Sequence, residues 1–235
     1  MKLKAFLPEV VAGVLLVIAF VLSAVLVPGF RDIGYLTDRS TLVTETGLLA
    51  LALTPLIVAG HIDLSCTAIL ALVGVLAATL AAKLGLPWPV CFLLCPVLGG
   101  LLGALNGWLV GKRGLPSLVV TIGTMALFRG VAQILAGDKS LPVPEAYQGI
   151  HHVTLPKTYF HLPMLVYLVL AVVIGFLLHK TVFGRQTYAV GTNPEAARYS
   201  GVPAGTVIFK LFVLSGAIAG LGAALAALAA RSGPL

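Results

Sequence analysis

The polar residues of this chain are few, and two groups of them have types and spacing suited to recognition. The first is the segment from Tyr188 to Val202, read as a short polar helix between two apolar stretches and built around Asn193-Pro194-Glu195-Ala196-Ala197-Arg198, with Gly201 three residues on. Asn193 suits a helix N-cap, Pro194 the first helical position, Glu195 the positive end of the helix dipole, and Gly201 a left-handed stop. The spacing predicts a helix of about two turns with both ends written in. Between its caps, Ala196 and Ala197 leave a small-residue surface that can enter a cleft in another protein, so the segment reads as a docking element for a soluble partner. The second group is Asp63, Ser65, Asn106, Thr121, Thr124 and Arg129, set singly in or beside apolar stretches. Asn106, Thr121 and Thr124 can hydrogen-bond between helices or line a polar route for a hydroxyl-rich solute. Asp63 and Ser65 can cap the helix that follows them or serve that same route. Arg129 lies late in its stretch, where its head group can reach the outer interface or the route.

The elements that must position these residues are membrane spans. Hydrophobic residues make up 59% of the 235 and charged residues only 10%, with a mean hydropathy of +1.07, which leaves a water-soluble fold without enough polar surface. Seven stretches approach the roughly 20 residues a span needs: Phe6 to Val27, Thr41 to Ala59, Cys66 to Ala82, Pro87 to Val110, Pro116 to Leu135, Leu162 to Leu178 and Val207 to Ala230. The expected fold is all-α, a polytopic integral membrane helical bundle forming a single domain over residues 1–235. Glu45 opens the second stretch and is expected at an interface. Gly99, Gly103, Gly107 and Gly111 recur every four residues, and Gly216, Gly220 and Ala224 repeat the pattern. Such stripes let backbones approach closely in lipid, and both helices are expected inside the bundle.

The net charge of +7 comes from basic residues scattered singly among loops, which excludes a nucleic-acid patch. Their placement is topological. With a cytoplasmic N-terminus, Lys2, Lys4, Lys112, Arg113, Lys180, Arg185, Arg198 and Lys210 fall on one side and Arg31, Arg39, Lys83, Lys139 and Lys157, interleaved with acidic residues, on the other, a modest asymmetry in the sense of the positive-inside rule. The docking segment then lies in the cytoplasm. The first apolar run is too long for a signal-peptide core and reads as an uncleaved helix. Cys91 and Cys95 stand one helical turn apart in an apolar span, where thiols act as small hydrophobes, and His151-His152 lacks further ligands nearby, so no metal or cofactor is expected. The segment from Gly137 to His161 is the longest external one and reads as a plain solvated loop, or alternatively as a landing surface for a binding protein.

Three blocks of sequence, in order, carry a family resemblance. Gly60-His61-Ile62-Asp63-Leu64-Ser65 resembles a signature of ribose-type sugar permeases of ATP-binding-cassette importers. Asn106-Gly107-Trp108-Leu109-Val110, Pro116, Val120-Thr121-Ile122-Gly123-Thr124-Met125 and Arg129-Gly130 are similar to the next block of that family. Phe183-Gly184-Arg185, Tyr188-Ala189-Val190-Gly191, Asn193 to Arg198 and Ser200-Gly201-Val202 resemble its cytoplasmic coupling segment, here about residues 179–206. His61 stands where the family commonly has glycine.

The resemblance implies the membrane-spanning subunit of an importer for a monosaccharide or related small polyol, in a bacterial cytoplasmic (inner) membrane. It implies a second permease subunit, a cytoplasmic ATP-binding subunit, a periplasmic or lipid-anchored sugar-binding protein and surrounding membrane lipid as partners. Asn193, Pro194, Glu195, Ala196, Ala197, Arg198 and Gly201 would transmit ATPase motion, and no bond in the sugar would be made or broken. The chain has no Gly-x-x-x-x-Gly-Lys-Ser/Thr loop, so the nucleotide would bind on the partner. Ribose, xylose, galactose, rhamnose and a furanosyl signal molecule remain open as substrates. Family members resemble ten-span bundles, so the sequence reads as truncated at its C-terminal end; if the native chain ended here, the missing helices would leave the Gly99-to-Gly111 or Gly216-to-Ala224 faces short of partners. An ion- or proton-coupled secondary transporter, or an inactive membrane remnant, are the competing readings.

Overall fold

Long apolar stretches in lipid must satisfy their backbone polar groups internally, and helices do so segment by segment. The computed structural model describes residues 7–137 and 161–229. Its elements are α1 (Leu7–Leu26), α2 (Ile33–Val58), α3 (Cys66–Leu84), α4 (Trp88–Gly107) running on into a π-helical turn (Trp108–Lys112), α5 (Ser117–Ala136), α6 (Leu162–Lys180), α7 (Val182–Thr192), α8 (Pro194–Tyr199) and α9 (Ala204–Ala229). Five are long and apolar enough to cross a bilayer, and Val10–Leu26 and Val43–Val58 are shorter apolar helices. The protein is an all-α polytopic membrane bundle. The histidine pair and most of the external loop lie outside the described residues, as do Lys2 and Lys4.

Two boundaries differ from the sequence expectation. Helix α2 begins at Ile33, eight residues before the predicted Thr41, because Asp32 accepts the Gly34 N–H at 2.8 Å and caps it. Glu45 consequently lies well inside α2, half-buried, instead of at a span end. Tyr188 to Thr192 belong to α7, a separate helix capped by Thr181, whose Oγ1 accepts the Gly184 N–H.

The centre of the bundle is α9. Of the five apolar helices it is the most enclosed, 61% buried against 17% for α6. It runs antiparallel to α4, and the two glycine stripes meet each other: a Cβ on Gly99 would overlap the Gly216 carbonyl, one on Gly103 the Phe212 carbonyl, and one on Gly111 the Gly205 carbonyl. Each stripe therefore finds its partner within the chain, contrary to the expectation that missing spans would leave them bare. Backbones this close gain dispersion contacts along four turns, which is what holds helices together where lipid is as apolar as leucine. Helix α3 packs on both α9 and α5, and α2 on α9 and α6. Helix α1 exposes apolar side chains from Val10 to Leu26, as a helix bathed in lipid does.

Candidate functional site

The docking segment folds as its residues dictate. Asn193 Oδ1 accepts the Ala196 N–H at 3.0 Å, with Pro194 at the first helical position. At the other end the Val202 N–H reaches the Ala197 carbonyl at 2.9 Å and the Gly201 N–H the Arg198 carbonyl at 3.1 Å, with Gly201 at φ +81°. That paired closure is a Schellman stop, and it needs a residue that tolerates the left-handed region. The six-residue α8 is thus a rigid unit with both ends bonded. Its faces differ sharply. Glu195, Ala196 and Arg198 point outward and Tyr199 is 87% exposed, whereas Ala197 is 5% exposed and packs with Leu56, Val110, Val190, Val207 and Phe212. Of the two predicted surface alanines only Ala196 presents its side chain; Ala197 seats the helix on its own bundle. Tyr199, the most exposed of the large apolar residues on the described surface, was not singled out from sequence, although its place beside the stop at Gly201 marks it.

The ends that meet at this segment are those carrying the basic residues. Lys112 Nζ donates to Thr206 Oγ1 at 2.8 Å, and the Arg113 guanidinium lies 4.6 Å from the Trp108 ring centre. Lys180 closes α6 and Arg185 lies on α7. The opposite end of α3 carries Lys83.

The second group divides. Asp63, Ser65, Asn106 and Thr121 come together at the break between α2 and α3, each at most 1% exposed. Asp63 Oδ1 accepts both the N–H and the Oγ–H of Ser65, at 2.9 and 2.6 Å. Its Oδ2 accepts the Ser215 hydroxyl of α9 at 3.1 Å. Asn106 of α4 donates through Nδ2 to Ser65 Oγ at 2.7 Å, and Thr121 Oγ1 of α5 approaches the Ile62 carbonyl at 3.4 Å. Asp63 and Ser65 do not cap α3 through their side chains, since no such cap bond forms there. The carboxylate instead folds back on Ser65 and reaches across to α9. Three donors on one buried carboxylate are what its desolvation requires.

Thr124 and Arg129 stand apart from this node. Thr124 Oγ1 returns to the Val120 carbonyl of its own helix at 3.0 Å, and Arg129 is exposed on α5. Ser215 was missed from sequence. Its signal was a lone hydroxyl in the apolar run Phe212-Val213-Leu214-Ser215-Gly216, and in a bundle interior such a group demands a partner. In this conformation the node fastens α3 to α4 and α9.

Residues 35–235 match the family model described as branched-chain amino acid transport system / permease component. Among curated proteins, the chain is 28% identical over 227 residues to the Autoinducer 2 import system permease protein LsrD of Salmonella paratyphi A, covering 92% of this chain and 67% of that one. It is 30% identical over 225 residues to the proteins of the same name from Escherichia coli K12 and Shigella flexneri, with the same two coverages. No solved structure matches.

Proposed function

The chain belongs to this family of transport-system permease components, and from that premise we propose that it moves a monosaccharide or furanosyl-type polyol inward, driven by a separate ATPase that docks on α8. The observation that carries the reading is α8 itself. A helix with both ends bonded, seated by Ala197 and showing Glu195, Ala196, Arg198 and Tyr199 outward at the basic end of the bundle, has no task inside the chain. In the cycle the ATP-binding subunits close and open on ATP binding and hydrolysis, α8 follows them, and the spans alternate their access. Each carrier pairs with a second permease subunit and receives solute from a periplasmic or lipid-anchored binding protein. Asp63, Ser65, Asn106 and Thr121 sit close to that path at the basic end, where their rearrangement accompanies passage.

The substrate class rests on the sugar-permease blocks at residues 60–65, 106–130 and 183–202 together with the relatives' printed name. The family description names branched-chain amino acids, so leucine belongs in the test. Proteoliposomes containing the permease pair, its ATPase and its binding protein are given labelled autoinducer 2, ribose or leucine with ATP on the ATPase side. The expected result is ATP-dependent uptake of a hydroxyl-rich solute and none of leucine. Uptake that a protonophore abolishes and that survives removal of the ATPase would overturn the proposal in favour of secondary transport.

A further inference from the structure

The positive charge at the basic end of the bundle is not spread evenly over it. Where α4 ends, Trp108, Lys112 and Arg113 are all exposed. Lys112 Nζ donates to Thr206 Oγ1 at 2.8 Å across the seam, and Lys210, also exposed, follows Thr206 by one turn on the same face of α9. The Arg113 guanidinium lies 4.6 Å from the Trp108 ring centre. These side chains share one flank of the α4–α9 seam. The Asp63 node occupies the other, because Asn106 stands about 200° round α4 from Trp108 and Ser215 about 180° round α9 from Thr206.

The flank is cationic without a counter-charge. Among the described residues no carboxylate pairs with Lys112, Arg113 or Lys210. Cations that converge on one surface repel one another, and an anion between them turns that repulsion into attraction. Lys112 keeps N–H donors beyond its bond to Thr206, and a guanidinium stacked on an indole keeps its edge donors for an anion. The positive-inside rule accounts for basic residues at this end. It does not ask them to meet across two helices or to stack on an indole. What lies next to the cations identifies the anion. Trp108 is exposed, and indole favours the headgroup level of a bilayer. Beyond it the surface of α4 is apolar, with Val97, Leu101 and Leu105 exposed at four-residue intervals. Val97 to Trp108 covers about 16 Å of helix, close to the depth of one leaflet in a hydrocarbon core of about 30 Å. Lys210 lies inside α9, and its long stem lets the ammonium reach back to the headgroup level.

We propose that Trp108, Lys112, Arg113 and Lys210 form a binding site for one anionic phospholipid, its phosphate between the cations and its acyl chains along α4. The site needs only a chain that spans a bilayer and is independent of the solute carried. Its consequence is a lipid that clasps α4 to α9 close to the turn from which α8 enters α9.

The test uses the full chain purified in a neutral detergent. Native mass spectrometry reads the binding of phosphatidylglycerol and of phosphatidylcholine with matched acyl chains. The expected result is that the first phosphatidylglycerol binds more tightly than any phosphatidylcholine. The Arg113→Gln/Lys210→Gln variant is expected to bind it about 25-fold more weakly, since each cation near an anionic headgroup contributes about fivefold. Lys180→Gln/Arg185→Gln removes the same charge from exposed positions on α6 and α7 at the same end, and its affinity is expected to stay within about twofold. Equal loss in the two variants would mean attraction by net charge alone and overturns the site, as does equal affinity for the two lipids. Displacement of phosphatidylglycerol by an equal concentration of inorganic phosphate would make this a site for a free anion, and the lipid assignment falls. Displacement by a second permease copy or by the ATPase subunit would give the flank to that protein and overturns the assignment as well. If the double variant does not fold, Lys210→Gln alone is read by the same criteria against a loss of about fivefold.

Discussion

Replacing Gly103 by alanine tests the interior seam of the bundle. The added Cβ would overlap the Phe212 carbonyl and stand 3.1 Å from the Gly216 Cα. Both obstacles are backbone, which cannot rotate aside, so α4 and α9 must separate locally. Small-to-large changes in a well-packed interior cost about 1–3 kcal/mol, and the backbone nature of the contact argues for about 2–3. Little is recovered from helix propensity, because spans in lipid stay helical when they part. The control lies three residues away. At Gly100 a Cβ meets Ala217 and Val213 atoms at 3.7–3.8 Å, which is ordinary contact, and Gly100→Ala is expected within about 0.5 kcal/mol of the wild type. The assay is unfolding of the purified protein in bicelles by steric trapping, read as a free-energy difference between the two variants. Equal stability of Gly103→Ala and Gly100→Ala would refute the close approach of α4 and α9.

Three further outcomes follow from the geometry. Ala197→Leu puts three extra carbons into the cluster with Val207 and Phe212 and is expected to cost about 1–3 kcal/mol, lowering the amount of folded protein in the membrane, whereas Ala196→Leu leaves that amount unchanged; fluorescence-detected size exclusion reads both. Glu195→Lys reverses a charge on the outward face of α8 and is expected to weaken ATPase co-purification with no change in membrane insertion, while Asn193→Ala, which removes the bond to the Ala196 N–H, costs about 1 kcal/mol of helix stability and weakens the same association less. Asn106→Leu removes the donor to Ser65 Oγ and is expected to lower stability by about 1–3 kcal/mol, checked by thermal unfolding in detergent.

What the sequence made legible was whatever is coded locally. The caps of α8 were readable because Asn193, Pro194 and Gly201 act on neighbours a few residues away, and each does in the structure what its chemistry favours. The glycine stripes were readable as close-packing faces, but not that they pack on each other, since periodicity names a face and not its partner. The start of α2 was misplaced because Asp32 caps a polar turn that hydropathy alone discounts. The direction of Ala197 was hidden for a different reason. In a six-residue helix no period can be measured, and which alanine turns inward is decided by the seating of α8 on α9. Ser215 escaped because its partner is 152 residues away.

The position of Asp63 also bears on what drives transport. A carrier coupled to ions or protons needs a membrane carboxylate that exchanges its ligand with each side in turn. Asp63 is 1% exposed, and both of its oxygens are engaged, by the amide and hydroxyl of Ser65 and by the hydroxyl of Ser215. Releasing it to bind a cation would leave the Ser65 N–H and two buried hydroxyls to find other acceptors, at about 1–3 kcal/mol for each left unmet. Glu45 is half-buried on α2, well up the helix from this node, and shares no bond with it. Among the described residues the one buried carboxylate is thus spent on joining α3 to α9 and is not free to carry an ion. On the proposed reading the free energy for movement enters at α8, whose attachment to α9 through Ala197 and the Pro203 turn would carry an external push to the helix that holds Asp63.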